Sequence, residues 1–393
     1  MPFIEVEYAQ ERKHSQKICG DTVLLSRAGD GRDSVSCTLS DGLGSGVKAN
    51  MLSRLCGNMI QKYVSNNIDV NRAARIVMRT LPVCSQRKIS YSTFTSITVD
   101  SNGNARTAEY DNPELLVFRK SQPVQIESKE VHLDQRFAYK KEIIRSSEFA
   151  LKEGDRVIFF SDGVNQAGMG QQRYPLGWRR ADVCKYIEGL LLENPDISAR
   201  KLSSAVVRRA REIDSGQAKD DISCVVLFAR NPRKLIIASG PPLDCKNDRQ
   251  LVDRVINFPG KKILAGGTTA NIIARETGGE VKIRLSDCAP GIPPTAELAG
   301  IDLVTEGILT LSKTAEYAEN REDLRSLKSH GASRLFRYIL DSDEVVFLIG
   351  TRINEAHQDP NMPEEIGIRR TIIRRIANAL EKNYVKKVEI QYI

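Results

Sequence analysis

An α+β fold in two domains is what this 393-residue chain predicts, and three observations predict it. The first part alternates short apolar runs with Asp, Asn, Gly and Pro turns, the mark of a β-rich core. After Asn231-Pro232 the rhythm becomes strand, helix, strand, helix, which argues for a smaller doubly wound α/β domain. The length also exceeds what one core usually serves. The expected domains are residues 1–231 and 232–393.

The elements follow in order. Ile18 to Leu25 reads as a short strand headed by Gly20-Asp21, with a polar turn at Gly29-Asp30-Gly31. Val35, Cys37 and Leu39 alternate with Ser34, Ser36 and Thr38, the period of a half-buried strand that delivers Asp41 to a sheet edge. Ser40-Asp41-Gly42-Leu43-Gly44-Ser45-Gly46 then joins this strand to a helix through Leu52, Leu55, Met59, Ile60 and Tyr63. A second helix runs through Ala73, Ile76 and Val77 and ends at Pro82. Strands return at Thr93–Val99, Ala105–Tyr110 and Leu115–Phe118. The segment Gln122 to Glu148 is polar and less patterned, and Val157 to Phe160 is an apolar strand ending in Ser161-Asp162-Gly163. Val164 to Trp178, with its glycines, reads as a flap beside a site. Helices at Val183–Leu192 and Ser198–Ile213 precede Lys219-Asp220-Asp221 and the strand Ile222–Phe228. In the second domain the strands are Leu235–Ala238, Lys262–Ala265, Val281–Arg284, Val345–Ile349 and Val388–Ile390.

Composition narrows the function classes. The 58 basic and 50 acidic side chains leave a net charge of +8, which suits an anionic partner such as a phosphoprotein but is modest for the length. Arg369-Arg370 and Arg374-Arg375 read as a solvated helix face, and aromatic residues make up 6%, so no nucleic-acid partner is expected. No apolar run reaches the roughly 20 residues that cross a bilayer, and Glu5, Glu7 and Glu11 are foreign to a signal peptide. A cytoplasmic protein without a membrane partner is the expectation. The cysteines 19, 37, 56, 84, 184, 224, 245 and 288 form no CxxC pair, which argues against zinc and a disulfide framework.

Gly20-Asp21, Asp41-Gly42, Asp162-Gly163 and Asp220-Asp221 all sit at ends of apolar strands. One Asp-Gly alone is a turn. Several carboxylates gathered at strand ends repel one another unless a cation lies between them, and hard oxygen donors suit Mg²⁺ or Mn²⁺. His14, His132, His330 and His357 stand away from these motifs, so imidazole-rich metal chemistry is poorly supported.

These residues resemble the metal-dependent (PPM) protein phosphatases, in their SpoIIE-type bacterial branch. Gly20-Asp21, Ser40-Asp41-Gly42-Leu43-Gly44-Ser45-Gly46 with Ala49, Phe160-Ser161-Asp162-Gly163-Val164 and Lys219-Asp220-Asp221-Ile222-Ser223 occur in the family's order. The resemblance implies a PPM-phosphatase-like β-sandwich flanked by helices, two divalent cations, Mn²⁺ or Mg²⁺, and a phosphoprotein substrate. It implies that Asp41 bridges the ions, that Gly42 offers its carbonyl to one, and that Asp21, Asp162 and Asp220 complete the other, with Asp221 as a further ligand. Asp41 and Asp162 are then the catalytic pair. Two such ions activate a shared water for in-line attack on phosphoserine or phosphothreonine. Arg173, Arg179 and Arg180 in the flap are candidates for binding substrate, a surface role being the alternative, and Ser161 is assigned to packing.

Cys224 and Arg230 have the C-x5-R spacing of cysteine-dependent phosphatases, but the intervening Val225 to Ala229 is strand-forming and glycine-free, so its amides cannot curl around a phosphate. In the second domain, Gly266-Gly267-Thr268-Thr269 between a strand and a helix reads as a seat for a small phosphorylated ligand. An ordinary N-capped helix after a tight turn is the alternative, and the domain's expected role is regulatory.

Overall fold

The computed structural model describes residues 2–27, 34–66, 68–80, 92–132, 143–284, 291–324, 326–352 and 364–393. The turn expected at Gly29-Asp30-Gly31, the helix stop at Pro82, Cys84, Cys288 and His357 lie outside them. Contacts divide the chain into two compact units, Met1–Asn231 and Pro232–Ile393.

The first unit runs β1 (Phe3–Glu11), β2 (Thr22–Arg27), β3 (Val35–Gly42), α1 (Gly46–Ser65), α2 (Val70–Thr80), β4 (Ser92–Val99), β5 (Asn104–Tyr110) and β6 (Leu116–Arg119). It continues through β7 (Gln122–Val124), β8 (Lys129–His132), β9 (Ile143–Ala150), β10 (Asp155–Phe160), α3 (Asp162–Asn165), α4 (Arg180–Glu193), α5 (Ala199–Ile213) and β11 (Ile222–Arg230). Two sheets form, ordered β1-β11-β10-β6-β7 and β2-β3-β4-β5-β9-β8, and their pairs are antiparallel. β11 is buried at every position. Cys224, Val226 and Phe228 on one of its faces pack with Val183, Ile187, Leu202 and Val206 of α4 and α5. Across the other sheet, Phe94, Ala108 and Tyr110 pack with Cys56, Ile60, Ala74 and Val77 of α1 and α2. Helices thus cover apolar faces of both sheets, an α+β arrangement in which buried area is the main stabilising term.

Three sequence expectations change here. β1 was not expected, although Ile4, Val6 and Tyr8 alternate with Glu5 and Glu7; it pairs along its whole length with β11. The less patterned Gln122–Glu148, to which no strand was assigned, contains β7, β8 and most of β9. The polar Arg145, Ser146 and Ser147 of β9 are held by backbone pairing with β5 and β8, which hydrophobic periodicity does not report. The flap at Val164–Trp178 is anchored, because Val164, Ala167 and Trp178 are buried in the helix-side core. Its exposed part is the stretch around Gly170, Gln172, Arg173, Pro175 and Leu176.

The second unit comprises β12 (Lys234–Ser239), α6 (Asp248–Ile256), β13 (Lys261–Ala265), α7 (Gly267–Thr277), β14 (Lys282–Arg284), β15 (Thr295–Glu297), β16 (Leu303–Thr305) and α8 (Ile308–Asn320). α9 (Gly331–Asp341), β17 (Glu344–Ile349), α10 (Glu364–Tyr384) and β18 (Lys387–Tyr392) complete it. Its sheet is ordered β14-β15-β16-β13-β12-β17-β18. The run from β16 to β18 is parallel, whereas β14 and β15 add an antiparallel edge. The strand expected at Val281–Arg284 is therefore an exposed edge, and the short β15 and β16 were not anticipated. Leu251, Val255 and Ile273 of α6 and α7 pack in one core; Leu311, Leu335 and Ile376 of α8, α9 and α10 pack in another. Among the described residues no helix is long and apolar enough to cross a membrane.

Candidate metal centre

Both Asp-Gly motifs owe their glycine to space. A Cβ on Gly42 would lie 2.0 Å from the Ala49 carbonyl oxygen, and one on Gly163 would lie 2.1 Å from that of Asp221. Real Cβ atoms do not approach so closely, so each strand end is locked against a second backbone. Left-handed backbone is needed later in the loop, at Gly44 and Gly46, with φ of 110° and 66°.

β3 carries Asp41 opposite Thr93 of β4, and the Ser92 hydroxyl donates to the Asp41 carbonyl at 2.7 Å. Asp21 precedes β2, is 3% exposed, and accepts a 2.6 Å hydrogen bond from the Ser223 hydroxyl on Oδ2. Its Oδ1 is buried without a hydrogen-bond partner among the described residues. Asp162 opens α3, and its Oδ2 accepts from Gln166 Nε2 at 2.7 Å. Asp220 lies 3.7 Å from the Lys13 ammonium.

The structure brings these four aspartates into one electrostatic group. Burial comes first in raising the Asp41 carboxyl far above the ordinary carboxylate range, followed by the charges of Asp21, Asp162 and Asp220. Burial also raises Asp21, against the hydrogen bonds of Ser223 and Ser161, with Asp221 and Asp162 adding to the rise. Asp162 is raised by burial and then by Asp220. Like charges in a poorly hydrated site favour protonation until a cation joins them.

Asp221 has a different position. Its Oδ1 accepts the Lys13 amide and its Oδ2 the Gly20 amide, both at 2.9 Å. It clasps the segment that leads into Asp21. Ser161 lies in the same scaffold, its hydroxyl accepting the Ser223 amide at 3.0 Å and donating to the Asp221 carbonyl at 3.3 Å. Arg179 and Arg180 line an open cleft of about 680 Å³ that includes Asp162, whereas Arg173 lines a neighbouring one that shares Arg179.

Two contributors escaped sequence reading. Arg145 lines the cleft and donates to the Asn112 carbonyl at 2.9 Å. Asp214, 4% exposed, accepts the Gly168 amide at 2.7 Å and the Lys219 amide at 3.0 Å, tying the flap to the Asp220 turn. Neither lies in a glycine motif, and both are recognisable through contacts that the fold creates.

In the second unit, Thr269 is fully buried and its hydroxyl accepts the Gly240 amide at 2.9 Å. Gly267 faces open space, and Gly266, with φ of 142°, precedes α7 without a side-chain cap.

Could the first-unit residues hold a divalent ion? Among the described residues no group of three or more His, Cys, Asp or Glu side chains stands in ready metal-ligating geometry. The chemistry of the donors nevertheless fits. All are oxygens, which hard dications prefer. One of them, Asp21 Oδ1, is buried with no hydrogen-bond partner among the described residues, and the raised carboxyls are the condition that a dication relieves.

The sequence profile described as Stage II sporulation protein E (SpoIIE) matches residues 31–230, a little over half the chain. Stage II sporulation protein E of Bacillus subtilis (strain 168) is 22% identical over 220 residues, covering 56% of this chain and 25% of that protein. The chain thus spans about a quarter of the length of this curated relative. The solved structure of the PP2C phosphatase domain and a regulatory-domain fragment of SpoIIE from Bacillus subtilis is 18% identical, with a TM-score of 0.46 and coverage of 58% of this chain and 62% of that one. The RsbU and RsbW domains of Rv1364c from Mycobacterium tuberculosis are 16% identical, with a TM-score of 0.47 and coverage of 71% and 72%. RsbX in complex with magnesium is 17% identical, with a TM-score of 0.40 and coverage of 57% and 95%. By the profile match across residues 31–230, the chain belongs to the SpoIIE family.

Proposed function

We propose that the chain is a cytoplasmic protein serine/threonine phosphatase that requires two divalent cations, Mn²⁺ or Mg²⁺, and hydrolyses phosphoserine or phosphothreonine on a protein partner. The observation that supports this reading is the electrostatic coupling of Asp41 with Asp21, Asp162 and Asp220, together with a buried Asp21 Oδ1 that has no hydrogen-bond partner among the described residues. Asp41 and Asp162 would hold the ions at the catalytic position, with Asp21, Asp220 and the Gly42 carbonyl completing the set. When bound, the ions supply an activated water and offset charge on the phosphoryl group. The chain's own side chains do the positioning. Ser223 orients Asp21, Gln166 orients Asp162, and Asp221 secures Gly20; one amide on each oxygen leaves Asp221 lone pairs with which it would serve as a further ligand.

We read residues 1–231 as the phosphatase domain and residues 232–393 as a doubly wound α/β domain that regulates it. The parallel order β16-β13-β12-β17-β18 supports the doubly wound architecture of the second domain. A small phosphorylated ligand near Gly266, Gly267 and Thr268 is in keeping with the open space beside Gly267. Thr269 is better assigned to structure, since its hydroxyl already holds the Gly240 amide.

The test is hydrolysis of p-nitrophenyl phosphate by the full chain with and without Mn²⁺. Metal-dependent turnover that disappears in Asp41→Asn and Asp162→Asn is the expected result, and turnover surviving both changes with no metal requirement sinks the reading. The absence of a ready three-ligand set among the described residues favours one second reading, a phosphatase-like scaffold that binds a phosphoprotein without turnover. Tight binding of a phosphoserine peptide with no hydrolysis at saturating Mn²⁺ would favour that scaffold.

A further inference from the structure

Asp214 is a buried carboxylate at a place that α5 itself does not favour. It is the C-cap of that helix and 4% exposed, at the end where the backbone dipole opposes negative charge. Two backbone amides offset the cost. Oδ1 accepts from Gly168 in the flap at 2.7 Å, and Oδ2 accepts from Lys219 at 3.0 Å. Each oxygen serves a different segment, so the carboxylate clamps the two together through charge-assisted hydrogen bonds.

Other contacts reinforce the same junction. The Lys219 ammonium donates to the Met169 carbonyl at 2.9 Å, and Gln171 Nε2 donates to the Ile213 carbonyl at 3.0 Å. Gly168 has a φ of 76°, and a Cβ there would lie 2.6 Å from Ile213 Cγ2, so only glycine lets the flap press on the end of α5. The turn between Asp214 and Asp220 is closed as well, by the Gln217 amide on the Asp214 carbonyl at 3.1 Å.

Both clamped segments lead within a few residues to a candidate metal carboxylate. Lys219 precedes Asp220 directly. On the flap side, tight turns run back to Asp162: the Met169 amide donates to the Gln166 carbonyl, and the Gln166 amide to the Asp162 carbonyl, each at 2.8 Å. The Asp220 charge bears on Asp162, and two like charges on separate segments drift apart unless the backbones that carry them are braced. Asp214 closes the brace between them.

Resting on the metal-dependent reading above, we propose that Asp214, with Lys219, is a positioning pair that holds Asp162 and Asp220 at the spacing a shared dication requires, and that ion binding and flap order are coupled through it. Asp214 acts through the Gly168 and Lys219 amides. An ion that draws Asp162 and Asp220 together tightens the clamp, and a flap seated on α5 favours the ion by the same factor, as linkage requires.

The experiment measures Mn²⁺ binding to the full chain by calorimetry and amide hydrogen exchange of the flap, both without turnover. In the wild type, Mn²⁺ is expected to slow exchange across residues 168–178. Asp214→Asn replaces one acceptor oxygen by an NH2 group that faces an amide. It is expected to weaken Mn²⁺ binding about 10–100-fold, as loss of a contact that supports a ligand does, and to leave flap exchange fast with or without the ion. Lys219→Met, at an exposed position that spares folding, is expected to weaken binding about fivefold. Lys219→Arg, which keeps a donor for the Met169 carbonyl, is expected to restore most of it.

A purely structural role for Asp214 would lower the melting midpoint while Mn²⁺ affinity and its effect on the flap, measured well below that midpoint, stay those of the wild type. That result overturns the proposal. So does wild-type affinity in Lys219→Met, which decides the matter where Asp214→Asn does not fold. A wild-type chain that binds no Mn²⁺ defeats the metal reading and the proposal together. Mn²⁺ binding that depends on Asp214, in a chain that does not hydrolyse p-nitrophenyl phosphate, defeats the phosphatase reading and leaves the positioning pair standing.

Discussion

A strand that runs into glycine occurs in both units, and it comes to opposite ends. In the first unit Asp41-Gly42 and Asp162-Gly163 place carboxylates where burial and mutual repulsion leave them raised, and Asp21 Oδ1 is buried with no hydrogen-bond partner among the described residues. In the second, Gly266-Gly267-Thr268-Thr269 enters α7, and the Thr269 hydroxyl is spent on the Gly240 amide. The difference teaches that a glycine turn alone does not make a site, and that the first-unit turns stand apart by their clustered, raised carboxyls. Buried polar groups are almost always satisfied, so an unsatisfied one points to a missing partner.

That contrast can be broken first at Asp41. Asp41→Asn should lower Mn²⁺-dependent hydrolysis by about 10²–10³-fold, as loss of a central electrostatic group does, measured as kcat/KM on p-nitrophenyl phosphate. A near-normal rate would put Asp41 on a par with Thr269. Gly163→Ala is the next largest change: its Cβ would meet the Asp221 carbonyl at 2.1 Å. Overpacking of this kind should cost about 3 kcal/mol in urea unfolding, and a neutral result would show that the backbone yields there. Ser223→Ala removes the hydrogen bond to Asp21 and should weaken Mn²⁺ binding about 10–100-fold in calorimetry. Thr269→Val sharpens the other side. It leaves the buried Gly240 amide without its acceptor and should cost about 1–2 kcal/mol in stability.

The subtlest expectation is a slope. Asp21, Asp41 and Asp162 have folded pKa values raised above their ordinary 3.8. The metal-free protein binds more protons folded than unfolded in this range, so it should lose stability as pH rises from about 5 toward 8. Thermal melts in EDTA should show a falling midpoint, and the Mn²⁺-induced rise in midpoint should grow with pH. A metal-free midpoint that climbs over this window would mean that burial and mutual repulsion do not hold these carboxyls raised.

Much of the fold was legible. The alternation of Val35, Cys37 and Leu39 marks β3, and the apolar runs at Val157–Phe160 and Ile222–Phe228 mark β10 and β11. β1 escaped because its charged Glu5 and Glu7 drew notice as charge and hid the period of Ile4, Val6 and Tyr8. β9 escaped because its polar middle is held by pairing on both edges. Arg145 was invisible for the same reason, since it sits in a strand that periodicity does not reveal.

The sequence by itself determined which residues could serve. Strand period and Asp-Gly junctions are local, and they put carboxylates at strand ends wherever the chain happens to go. Tertiary structure alone decided their roles, because charge and hydrogen bonding depend on neighbours far along the chain. Adjacent in sequence, Asp220 and Asp221 act on different partners on that basis: Asp220 adds its charge beside Asp41 and Asp162, and Asp221 adds its charge beside Asp21 while holding an amide 201 residues away at Gly20.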